Sequence, residues 1–180
     1  MPDAVRAVHA CPLPDGALLC AYRAGGAYAD CYAVDVVGPV SHEQFVTAFY
    51  TTFVFRLERL ILKWILAKPS SDEDARQLAA GTASAFAAWN VEKRCVDQLL
   101  LCDAVARTRS WLMVAPVTTR GGPGTRLYFG SAVVPRRNRQ TGQSEMGLAF
   151  RALLGFHKIY SMVLLRAAMG RLKTLRGRDV

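Results

Sequence analysis

Two short apolar stretches, ALLCAYR and YADCYAVDVV, follow one another near the start of the chain, split by Gly25 and Gly26. Such a pairing predicts two strands joined by a turn, at about residues 17–23 and 28–37. In the second, Tyr28, Asp30, Tyr32, Val34 and Val36 alternate with Ala29, Cys31, Ala33, Asp35 and Val37. Both sides are mixed, so neither face is marked for solvent. From Ser41 the pattern turns helical: Ser41 is an N-cap, and Gln44 three residues on completes a capping box. The β-branched pair Thr51-Thr52 should divide this region into helices at about 41–50 and 52–66, the second closed before Pro69. Its charged positions Arg56, Arg59 and Lys63 recur at helical steps, which turns Phe53, Leu57, Leu60, Ile61, Trp64 and Ile65 inward. A short acidic helix at about 70–81 follows, ended by Gly81.

Four further strands are predicted at about 86–93, 95–103, 107–118 and 125–135, connected tightly enough to form an antiparallel meander. Residues 136–146, RRNRQTGQSEM, are polar and read as a loop. A helix then runs from about 147 to 176, roughly 45 Å at 1.5 Å per residue. Arg151, Lys158, Arg166 and Lys173 share one side of it, and Leu153, His157, Tyr160, Leu164 and Arg171 the other. His157 and Tyr160 are therefore expected to face the sheet.

Both faces of the middle strands are apolar. Leu99, Leu101, Trp111 and Met113 lie on one side, and Val96, Leu100, Leu112 and Val114 on the other. An antiparallel sheet with helices on one face normally has a polar second face. A covering element or self-association, such as a homodimer, is therefore expected.

Composition adds a class and a location. With 180 residues, 52% of them hydrophobic and 21% charged, the chain fits one domain able to bury a core. The apolar runs are broken by charge well short of the roughly 18 residues that span a bilayer, so no membrane span is expected. No secretory signal opens the sequence, which places the protein in the cytoplasm by expectation. The five cysteines, Cys11, Cys20, Cys31, Cys95 and Cys102, show no metal or redox spacing and read as free thiols. Charge is uneven: residues 136–180 carry 10 basic and 2 acidic side chains, or +8 of the net +9. These basic residues are not interleaved with aromatics, which argues against nucleic acid.

Few residues carry recognisable chemistry. His9, His42 and His157 are scattered, so no metal site is expected, and nothing calls for a cofactor. His157 reads first as a core histidine, then as a pocket-lining group, and last as an acid or base. Arg109 lies on the same strand face as Trp111 and Met113, where it reads as a side chain reaching to water or as an anchor for a ligand's acidic group. Asp97 shares that face but lies about four residues out of register.

The element order, with YADCYAVDV, FYTTFVFRLERLIL, DQLLLCD, TRSWLMV, RLYFGSAVV and LLGFHKIYSMVLLRA, resembles the START-like helix-grip superfamily, which includes polyketide-cyclase-like and lipid-transfer proteins. Within it, these segments look like an uncharacterised bacterial group, and the resemblance covers about residues 28–172. It implies an α+β fold in which a curved antiparallel sheet grips the C-terminal helix around an apolar cavity. Many members bind lipids, sterols, hormones or polyketides there, and some are enzymes. No catalytic set is common to the superfamily, so none is transferred. About six strands are predicted here where seven are typical.

The leading expectation is a domain binding a small hydrophobic or amphipathic ligand. Trp64, Trp111, Met113, Tyr128, Phe129, His157, Tyr160 and Leu164 would form the walls, with Arg109 or His157 orienting the ligand's polar group. A cyclase- or hydrolase-like enzyme using His157 with Tyr160 is the alternative. A membrane-surface or protein-interaction module using the basic C-terminal helix is the third.

Overall fold

Local capping chemistry sets the helices where the sequence places them most firmly. In this computed structural model, residues 7–56, 70–134, 136–137, 144–145 and 148–176 are described, with side chains over 7–56, 70–134 and 158–175. In chain order the described elements are β1 (His9–Ala10), α1 (Cys20–Ala24), β2 (Tyr28–Val37), α2 (His42–Tyr50) and α3 (Asp72–Ala80). They continue with β3 (Ala85–Phe86), β4 (Trp89–Arg94), β5 (Gln98–Asp103), β6 (Thr108–Thr119), β7 (Gly122–Val133), β8 (Arg136–Arg137), β9 (Ser144–Glu145) and α4 (Leu148–Arg176). Ser41 caps α2, with Gln44 completing the box, and Ser71 caps α3 with Asp74 in the same role. Three carboxylates occupy the first turn of α3, where the helix dipole favours them. At its far end Arg94 donates to the Leu78 carbonyl at 2.6 Å.

The Thr51-Thr52 break is present and has a mechanism. Thr51 leaves helical geometry, while the Thr52 hydroxyl accepts from the Phe55 backbone N–H at 3.2 Å and so starts the next helical turn, over residues 53–56. The predicted inward set of that helix is corrected at its first member. Phe53 is 80% exposed and Phe55 is buried instead. Leu57, Leu60, Ile61, Trp64 and Ile65 lie outside the described residues.

Among the described residues, seven strands form one antiparallel sheet in the order β1-β2-β7-β6-β5-β4-β3, with β8 and β9 forming a separate small pair. Seven replaces the six predicted. β1 and β3 are two residues each, too short to show a period. The polar stretch at 136–146, expected as a loop, contains the β8–β9 pair.

The stretch at 17–23, expected as a strand, is corrected more substantially, because it contains α1. An apolar run of this length fits either structure, and the alanine-rich composition favours the helix. Gly25 and Gly26 still turn the chain, with Gly26 at φ +81°.

The sheet divides the hydrophobic side chains into two layers. On the inner face Tyr32, Val34, Leu99, Leu101, Leu112, Leu127 and Phe129 pack with side chains of α2, α3 and α4. From α4, Leu164, Leu165, Ala168, Met169 and Leu172 are buried there, while Lys158, Arg166 and Lys173 are exposed as the sequence predicts. Described contacts of α4 with the sheet run to β2 and β7.

The outer face answers the question raised by its apolar side chains. Residues 11–24 lie over it, with Ala17 and Leu19 buried against Cys31, Leu100, Trp111 and Ala132. Gly130 makes this close approach feasible. A Cβ there would lie 2.9 Å from both Leu19 Cδ1 and Trp111 Cε3. Gln98 fastens the cover: its Oε1 accepts from Trp111 Nε1 at 2.9 Å and from the Leu18 N–H at 3.0 Å, and its Nε2 donates to the Gly16 carbonyl at 3.1 Å.

Candidate functional site

Pleating decides which of the predicted wall residues can meet. Arg109, Trp111 and Met113 share a face, as predicted, and it is the outer one, where Tyr128 joins them. Phe129 and Leu164 belong to the inner core, and Tyr160 packs half-buried against it. Tyr128 and Phe129 are consecutive in β7, so alternation alone sends them to opposite sides of the sheet. The expected set therefore does not line one cavity. Trp64 lies outside the described residues, as does the side chain of His157, whose backbone belongs to α4.

Arg109 is occupied by the fold. Its Nε donates to Glu92 Oε2 at 2.8 Å, its Nη1 donates to the Ala106 carbonyl at 2.7 Å, and its guanidinium stacks over the Tyr22 ring, 4.6 Å from the centroid. The Tyr22 hydroxyl also donates to Glu92. Asp97, expected on the same face, instead lies opposite Val114. The Glu92 contact depends on a bulge in β4 between Val91 and Lys93, which no local pattern announces. A groove of about 390 Å³ runs beside this cluster, with Tyr22, Glu92, Lys93 and Leu100 among its walls. A second, of about 570 Å³, lies at one end of the sheet between Pro39, Val40, Asp97, Val114 and Pro116.

The inner face carries a polar rung that the sequence reading did not assemble. Asp30, Ser131 and Ser110 are neighbours across β2, β7 and β6. Asp30 Oδ1 accepts from the Ser131 backbone N–H at 3.2 Å and from its hydroxyl at 2.8 Å. The Tyr28 and Tyr32 hydroxyls each donate to Asp30 Oδ2 at 3.4 Å. At the other end, Ser110 shares a hydrogen bond with the buried Tyr50 hydroxyl at 3.3 Å. Burial and then the Asp30 charge raise the pKa values of Tyr28 and Tyr32, so both remain neutral donors at physiological pH. The alternation of Tyr28, Asp30 and Tyr32 was legible. Their alignment with Ser131 and Ser110 required the strand register.

Helix α4 contributes one further group. Ser161 is fully buried, and its hydroxyl has no hydrogen-bond partner among the described residues. It lies four residues before Leu165 and seven before Ala168, on the stripe that packs into the inner core. An unpaired buried hydroxyl costs about 1–3 kcal/mol.

His42, set aside in the sequence as one of three scattered histidines, is also buried, with Nε2 unpartnered among the described residues. Burial depresses its pKa to about 4. A hydrogen bond with the Leu112 backbone opposes that shift, and the positive charge of Arg94 adds to it. Between pH 6.5 and about 4 the unfolded chain binds the proton more tightly than the native state. His42 therefore supports stability fully above pH 6.5 and progressively less as pH falls toward 4. The swing is about 3 kcal/mol. Urea titrations across this range should show His42→Leu with a flatter stability profile than wild type; parallel profiles would refute the assignment.

Among the described residues no group of three His, Cys, Asp or Glu side chains is placed to hold a metal ion. No described helix is long and apolar enough to cross a membrane. The architecture defines an α+β protein with an open antiparallel sheet and a C-terminal helix packed on one face. No protein-family model and no curated protein matches the sequence.

Proposed function

We propose that the protein binds a small hydrophobic or amphipathic molecule between the inner face of the sheet and α4, in the manner of START-like helix-grip domains. The observation that carries this reading is the orphaned Ser161 hydroxyl, buried on the helix stripe that meets the sheet. The polar rung Asp30–Ser131–Ser110–Tyr50 supports it, because a few placed polar groups in an apolar setting are what orients a guest. Ser161 donates to the guest's acceptor, and the aliphatic and aromatic side chains around Phe129 and Leu164 hold its apolar part.

The test combines retention and affinity. Native mass spectrometry of the purified protein should reveal a co-purifying organic molecule, or the stripped protein should bind the amphipathic probe anilinonaphthalene sulfonate saturably. Ser161→Ala should weaken the probe about tenfold, equivalent to 1.4 kcal/mol, while leaving the ligand-free protein no less stable. Absence of both a retained molecule and saturable binding by the folded protein would sink the proposal.

A further inference from the structure

Cys11 and Cys31 are 20 residues apart in sequence, yet their sulfurs lie 3.5 Å apart. The register explains why. His9 pairs with Ala33 and Ala10 with Tyr32, so Cys11 comes next to Cys31, and its N–H donates to the Cys31 carbonyl at 2.9 Å. Directly opposed residues of a hydrogen-bonded antiparallel pair have Cα atoms about 5.5 Å apart, inside the range a disulfide spans. Bond formation requires the sulfurs to approach from 3.5 Å to about 2.05 Å.

The two thiols differ in access. Cys31 is buried beneath the N-terminal cover, whereas Cys11 is half-buried at the cover's margin. A third sulfur, Cys20, is directed to the Pro14 carbonyl at 3.6 Å. Nearby lies Arg126, held by Asp35 through bonds of 2.6 and 3.0 Å.

We propose that Cys11 and Cys31 form a peroxide-sensitive dithiol whose oxidation cross-links the N-terminal cover to the sheet. The Cys11 thiolate attacks one oxygen of a hydroperoxide. An S–O bond forms, the O–O bond breaks, and the leaving oxygen departs as water or an alcohol after taking a proton. Cys31 then attacks the Cys11 sulfenic sulfur; the S–S bond forms, the S–O bond breaks, and the hydroxide leaves with the Cys31 proton as water. Two thiols lose two electrons in total, and one peroxide gains them.

Electrostatics match the order of attack. The contact with the Cys31 sulfur lowers the Cys11 pKa, assisted by the charge of Arg126 and opposed by burial, whereas the same contact and burial raise that of Cys31. The half-buried Cys11, which a peroxide reaches first, is the attacking sulfur, and the buried Cys31 is the resolving one.

The full-length protein treated with hydrogen peroxide should yield a Cys11–Cys31-linked peptide under non-reducing digestion, at least tenfold faster than exposed Cys95 is oxidised, and dithiothreitol should reverse it. In Cys31→Ser, dimedone should trap Cys11 as the sulfenic acid. Differential alkylation of the wild type reads the same chemistry without a variant. Oxidation of Cys95 first, or a dominant link from Cys11 to Cys20, would overturn the proposal.

Discussion

Replacing Gln98 with leucine is expected to lower stability by about 3 kcal/mol and to release residues 11–24 from the sheet. One side-chain amide currently serves Trp111 Nε1, the Leu18 N–H and the Gly16 carbonyl. Leucine keeps the volume and removes all three partners. Each polar group left buried without a partner costs about 1–3 kcal/mol, and the total is limited because a loosened cover admits water to some of them. Hydrogen exchange gives the specific signature: protection lost over residues 11–24 and kept in β6 and β7. A stability change below about 0.5 kcal/mol, the range of ordinary surface substitutions, would refute the clasp.

Phe49→Ala is expected to cost about 3–5 kcal/mol, because an aromatic side chain deleted from a close-packed core leaves a cavity the surroundings fill only partly. The ring is 1% exposed and forms an aromatic cluster with Phe45, Tyr50, Phe55 and Phe129, at centroid distances of 6.1, 5.2, 6.2 and 4.8 Å. It therefore connects α2 to the inner face of β7. Phe53→Ala is the matched control. At 80% exposure it should shift the denaturant midpoint little, with an effect within about 0.5 kcal/mol. Equal losses from the two variants would contradict the packing.

What the sequence disclosed follows from the range of the interaction responsible. The capping boxes at Ser41 and Ser71 and the break at Thr51-Thr52 depend on atoms three or four residues apart, so the local pattern carries them. The long strands β6 and β7 are equally legible as apolar runs bounded by turn residues. Residues 17–24 were not, since a short apolar run fits strand and helix alike until the sheet beneath it is known.

The candidate site was legible by face and illegible by partner. Alternation grouped Arg109, Trp111 and Met113, but only the assembled sheet shows that α4 lies against the other side. Registers settled the remainder: Asp30 beside Ser131, and Cys11 beside Cys31, are contacts between strands remote in sequence. The imidazole of His157, expected to face the sheet, lies outside the described residues.

The N-terminal cover also has a consequence for the order of events at the ribosome. Leu19 is synthesised early, whereas Leu100, Trp111 and Ala132, which enclose it, come 81 to 113 residues later. At roughly 5–20 residues per second, Leu19 waits on the order of 5–20 s before its site exists. Its docking also closes very long loops, an entropic cost that central strand pairing must precede. The layer translated first is thus the one completed last.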